Sequence, residues 1–208
     1  MKETPILYSP PMAKARLEGL KTQTRRIIKP QPNFDMSTAI HRDNLSALKE
    51  NIKRRCRYGK PGDYIVIKEA HYMYGSWDQT GTTKTGRPRH EFVPFHREVR
   101  YYDNPPKEIL TGMTGNLGWY KRNSLFMPKW ASRFKDKIVD IRVERVQDID
   151  GDAIFAEGVD NGKSNKAMGI RWENMQKLAF AELWDSINLV RGYGWDANPY
   201  IFVIETEY

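Results

Sequence analysis

Cysteine occurs once in the 208-residue chain, at Cys56. A single cysteine excludes an internal disulfide and a cysteine-built zinc site. No apolar run approaches the roughly 20 residues that a membrane helix needs. The opening residues, MKETPILYSPPM, lack the long apolar stretch of a secretory signal. These absences point to a soluble cytoplasmic protein with no membrane partner. Neither standard glycine-rich phosphate loop is present, and no serine sits in a nucleophile elbow. The four histidines, His41, His71, His90 and His96, do not have metal-ligand spacing. No metal and no cofactor is therefore expected. The chain holds no repeat and no long low-complexity segment.

What is present is a folded-protein composition with a localised positive charge. Charged residues make up 29% and hydrophobic ones 39%, which fits a packed domain rather than a disordered chain. The formal net charge is +8. Between Met12 and Lys60 there are 13 Lys or Arg against 4 Asp or Glu, so the rest of the chain is close to neutral. A concentrated basic region is the electrostatic footprint of a polyanion binder.

The local patterns give a coarse order of elements. PILYS (5–9) reads as a short strand. Ser9 is placed to cap a helix with Pro10 at its first position. Ala13, Leu17 and Leu20 recur at helical spacing, and Gly19 is a natural stop. Residues 24–29 suit a strand. The segment 58–74 reads as a turn with Pro61 and Gly62 at its centre, followed by one strand. Residues 75–89, rich in Gly, Thr, Ser, Lys and Arg, read as a mobile loop, and 91–103 as a further strand. Ile138, Val139, Ile141, Val143 and Val146 mark a strong strand. Residues 150–159 suit a short helix ended by Gly158. The longest helix is expected over 171–188, with Trp172, Met175, Ala179, Leu183 and Ile187 on one face. A strand closes the chain at 199–208. Short strands interrupted by helices suggest one α+β domain, 1–208, built on a small mixed β-barrel with flanking helices. Insertions are expected at about 30–57 and 73–124.

The stretch GLKTQTRR (19–26) carries the most chemistry per residue. A lysine amine acts as nucleophile or base only if its pKa falls. Burial lowers it, as do neighbouring cations such as Arg25 or Arg26. Taken alone, however, a Lys-Thr-Arg cluster is more often a solvated or phosphate-contacting edge. The stretch resembles the GxKxxTxR signature of the ASCH domain family, a branch of the PUA-like superfamily, with Gly19, Lys21, Thr24 and Arg26 at the four positions. KPGDYIVI (60–67) is similar to that family's Gly-Asp turn before an apolar strand. Residues 139–159 resemble its strand-then-helix segment, with Glu157 near the helix end. The C-terminal stretch from FAELWDSIN onward is similar to that of larger ASCH-like proteins encoded by phages and prophages.

The resemblance implies a PUA-type barrel that binds RNA, DNA or a modified nucleoside in a cleft. Some small members are amidohydrolases that remove the acetyl group of N4-acetylcytidine. Carried over, their catalytic set becomes Lys21, Thr24 and Glu157. Arg25, Arg26, Glu69, Tyr72 and Trp195 are the candidates for contacting the substrate, with Glu69 the competing site carboxylate. Taken by itself, Glu69 also fits a strand salt bridge to an arginine. Two other readings stay open. One is a noncatalytic reader of RNA or modified DNA bases, whose basic clusters 53–57 and 82–90 grip phosphates while Tyr72, Tyr74, Trp77, Tyr101 and Tyr102 stack on bases. The other is a ribonuclease. The turn RGYGWDANP (191–199) either shapes the cleft or caps the barrel.

Overall fold

The computed structural model describes residues 1–32, 42–159 and 170–208. His41 and the side chain of Trp172 lie outside what it describes. The architecture is mixed α+β, with one five-stranded and one three-stranded sheet. The chain divides into two compact units: Met1–Thr4, Ala15–Ile65 and Lys135–Tyr208 form one, and Pro5–Lys14 with Val66–Phe134 the other.

The five-stranded sheet has the order β1-β3-β7-β8-β2, where β1 is Glu3–Leu7, β2 Gln23–Ile27, β3 Tyr64–Lys68, β7 Lys135–Arg145 and β8 Tyr200–Glu207. It is a mixed sheet. Tyr64 N–H donates to the Lys2 carbonyl and Tyr8 N–H to that of Lys68, so partners advance together and β1 runs parallel to β3. β8 is antiparallel to both β7 and β2, with Ile204 opposite Ile141 on one side and Thr24 on the other. β8 is a near-continuous apolar run because it lies in the sheet interior with both faces covered.

Helix α1 (Pro10–Leu17) starts as its sequence dictates, with Ala13 N–H bonded to the Ser9 carbonyl. Its expected apolar face is only partly correct. Ala13 is buried, but Leu17 and Leu20 are exposed. The helix buries Ala15 and Arg16 instead, and Arg16 reaches Asp136 through two bonds of 2.6 Å. A fork-to-carboxylate pair lets a short helix bury a charge that it must compensate. The Pro61-Gly62 turn is as expected. Gly62 has φ +90°, and Asp63 N–H closes the turn on the Lys60 carbonyl at 3.0 Å.

Helix α2 (Arg42–Arg54) ends in Lys53 and Arg54, which complement its C-terminal dipole. Lys53 also meets Asp140 at 3.5 Å. Helix α3 (Gly151–Ala156) is capped by Asp150, whose side chain accepts from Ala153 N–H. Helix α4 (Ile170–Asn188) packs Phe180 and Trp184 into a core with Val146, Ile149, Ile154, Ile201 and Val203. This corrects the expected face. Met175, Leu183 and Ile187 lie on the exposed side, at 59%, 40% and 44%, because the bulkier rings take the inward positions.

The expected single strand over 64–74 is two strands. β3 ends at Lys68, and β4 (His71–Thr82) starts after a break at Glu69 and Ala70. The expected mobile loop at 75–89 is corrected as well. β4 and β5 (Pro88–Tyr101) form a long antiparallel hairpin whose tip is closed by Thr83 N–H on the Arg87 carbonyl at 2.7 Å. Cross-strand pairs such as Trp77 with Phe92 hold this polar sequence extended. β6 (Gly118–Arg122) pairs with the other edge of β4.

Candidate functional site

The end of α1 sets the position of Lys21. Gly19 takes φ +74°, and the N–H groups of Leu20 and Lys21 both fold back on the Ala15 carbonyl. This left-handed helix stop turns the chain into β2. Thr22 N–H is held by the Ala156 carbonyl at 2.8 Å, which ties the start of β2 to the end of α3. Gly158 follows with φ +76°, and a β-carbon there would lie 2.6 Å from Ala15 Cβ and 3.1 Å from Lys21 Cβ. Only glycine permits the α3 terminus to approach this closely.

Glu157 and Lys21 meet across 136 residues of chain. Lys21 Nζ donates to Glu157 Oε2 at 2.5 Å, to the Glu157 carbonyl at 2.9 Å and to the Gln23 carbonyl at 2.8 Å. The other carboxylate oxygen, Oε1, receives Arg25 Nη1 at 3.2 Å. Lys21 is 1% exposed and Glu157 6%. Burial pushes the Lys21 ammonium below its ordinary value. Glu157 opposes that shift, while the charges of Arg26 and Arg25 add to it. Burial alone would raise the Glu157 carboxyl, but Lys21 and Arg25 beside it bring it below the usual carboxylate range. The result is a carboxylate held between two cations in a site that disfavours the lysine's charge. Arg25 Nε, also buried, has no hydrogen-bond partner among the described residues.

The other sequence candidates divide clearly. Arg26 is half-buried and donates to the Arg25 carbonyl at 3.1 Å. Thr24 is buried in β2, and strand alternation sets it on the face opposite Arg25. Trp195 is half-buried and packs against the core. It packs on Phe180 at 6.1 Å between ring centroids, its N–H donates to Asp185 at 2.6 Å, and its carbonyl accepts from Gln147. The turn 191–199 therefore fastens α4 to the sheet. Glu69 and Tyr72 lie in the second unit. Both Glu69 oxygens are taken by Arg133, at 2.8 and 3.1 Å, and Arg133 also forks onto Asp103 while lying over the Tyr101 ring at 4.2 Å. Glu69 is thus engaged in a salt bridge to an arginine, from the break between β3 and β4 rather than from a strand. Tyr72 is buried.

Sequence reasoning gave Arg25 no role toward the glutamate, yet it is the arginine that orients Glu157. The signal was available: Gln23, Arg25 and Ile27 alternate onto one face, and Ile27 packs against the same core as α3. Among the described residues no cluster of His, Cys, Asp and Glu has the makings of a metal site. No family model, no curated protein and no solved structure matches the chain.

Proposed function

We propose that the chain acts on nucleic acid or a modified nucleoside, and that its reaction is hydrolysis of an amide of the N4-acetylcytidine type. The observation that carries this reading is the buried Lys21–Glu157 contact of 2.5 Å, with Arg25 on the second carboxylate oxygen. Burial lowers the Lys21 pKa, so that above its lowered value the amine is neutral beside the Glu157 carboxylate. The neutral Lys21 amine then takes a proton from water as the hydroxide adds to the acetyl carbon. Alternation favours water over Thr24 as the attacking oxygen, because Thr24 lies on the other face of β2 from Arg25. Positive charge from Arg25, on the Glu157 side of β2, stabilises the oxyanion. On collapse the carbon–N4 bond breaks, and the Lys21 ammonium, held by Glu157, passes the proton it took from water to the leaving nitrogen. Acetic acid and cytidine leave, and the neutral Lys21 amine beside the Glu157 carboxylate is restored. The same reading takes the five-stranded mixed sheet as the core of a PUA-type barrel.

A second reading has its own observation. Lys21 is almost wholly buried, and three acceptors surround the three N–H bonds of its ammonium. That is also the state of a pair that shapes a binding pocket, as in a noncatalytic reader. Offering the protein matched oligonucleotides with and without the acetyl group separates the two. Deacetylated product supports the hydrolase. Tighter binding of the acetylated strand with no product supports the reader, and neither outcome on any strand or free nucleoside sinks both.

A further inference from the structure

A second surface, wholly within the second unit, alternates rings and cations on one face of the three-stranded sheet. The register places Arg100, Tyr72 and Lys121 in one cross-strand row and Tyr74 opposite Trp119 in the next row on the same face. Arg100 lies 5.2 Å above the Trp119 ring, and Lys121 5.5 Å from the ring of Tyr102. Tyr74 meets Trp119 edge-on at 5.5 Å and Phe95 at 6.4 Å. Tyr72 is buried between the two cations, which makes it the floor of this face rather than a contact.

The rings are not packed away. Phe95 is 61% and Tyr102 52% exposed, and Trp119 and Tyr74 are half-buried. A cluster that served only to hold the hairpin would cover them. The charge agrees: residues 66–134 carry eleven Lys or Arg against six Asp or Glu. The carboxylates on this side are Glu98, in an exposed pair with Arg100 at 3.5 Å, and, farther along the hairpin by strand alternation, Asp78 and Glu91.

We infer that this face is a stacking platform for single-stranded nucleic acid, with bases laid on Trp119, Tyr102 and Phe95 and phosphates met by Arg100 and Lys121. Unstacked bases present the π-faces that such rings need, whereas a duplex hides them. The inference rests on the reading that the chain's ligand is a nucleic acid, and it assigns that ligand a second contact, separate from the Lys21–Glu157 pair.

The test is fluorescence anisotropy with labelled 12-nucleotide oligouridylate, the matching oligothymidylate and a 12-base-pair duplex. A Trp119→Ala, Tyr102→Ala variant should weaken single-strand binding by about 5- to 150-fold and leave duplex binding nearly unchanged. Trp119→Phe should retain most of the affinity. Glu98→Gln, which cannot empty a core, should strengthen single-strand binding. If the ring variant unfolds, Tyr102→Ala alone serves, because that ring is half exposed. Equal loss on single strand and duplex, no loss at all, or equal competition by polyglutamate would overturn the platform. Hydrolysis of free acetylcytidine is followed in the same variants. Retained turnover with lost strand binding supports the platform, whereas absent turnover in the wild type fails the hydrolase reading and leaves the platform standing.

Discussion

At the scale of the residue, the proposed chemistry turns on the protonation of Lys21 and Glu157. Catalysis by a neutral Lys21 requires activity to rise with pH as the amine loses its proton, along a limb below the ordinary lysine value of 10.5. Glu157 is the largest influence raising the Lys21 pKa. Glu157→Gln should therefore move that limb to lower pH while reducing the maximal rate, as a pH profile of kcat/KM will show. Stability follows the same groups. Glu157 is depressed, so its contribution is full above the ordinary carboxylate range and is lost as pH falls through its lowered pKa. Lys21 is depressed as well. Between its lowered value and 10.5 the unfolded chain binds more protons, and stability climbs with pH there. Lys21 was legible as a candidate because Gly19 and the helix stop are local signals. Glu157 was not legible from spacing, since nothing within the sequence links residues 136 apart, and only the family resemblance pointed to it.

At the scale of the element, the approach of α3 to the end of α1 is the constraint that builds the site. Gly158→Ala places a β-carbon 2.6 Å from Ala15 and forces a left-handed backbone on alanine. We expect a cost of about 1–3 kcal/mol, measured by denaturant unfolding, together with a loss of activity larger than the loss of folded protein. Elements with local signals were legible, among them the Ser9-Pro10 helix start, the Pro61-Gly62 turn and the apolar β7. Those fixed by partners were not. The stretch 75–89 is polar and glycine-containing, but pairing with β5 through Trp77 and Phe92 makes it a strand. The spacing on α4 selected Met175, Leu183 and Ile187, whereas packing selected Phe180 and Trp184, because ring size and not hydropathy alone fills that core.

At the scale of the whole molecule, net charge governs encounter with polyanions. With a charge of +8, non-sequence-specific binding of single strands should fall with salt, by about 0.7 log units per log unit of salt for each phosphate contact. Binding of an uncharged acetylated nucleoside should be nearly salt-independent, and parallel titrations at several salt concentrations check both. The composition made the excess of basic residues between Met12 and Lys60 legible. The division into two compact units was not, because β1 and β3 each pass the boundary within a single strand.

The most direct measurement of the central claim is the release of acetate and cytidine from N4-acetylcytidine, followed by mass, for the wild type beside Lys21→Met. Methionine fills the buried space without the amine. Removing one partner of a buried pair costs about 3–5 kcal/mol, so circular dichroism must first show both proteins folded at the assay temperature. The account predicts turnover by the wild type and a loss of about 10²- to 10⁴-fold in the variant. Equal turnover by the two folded proteins would contradict a catalytic Lys21–Glu157 pair, as would no turnover by the wild type on the nucleoside or on RNA that contains it.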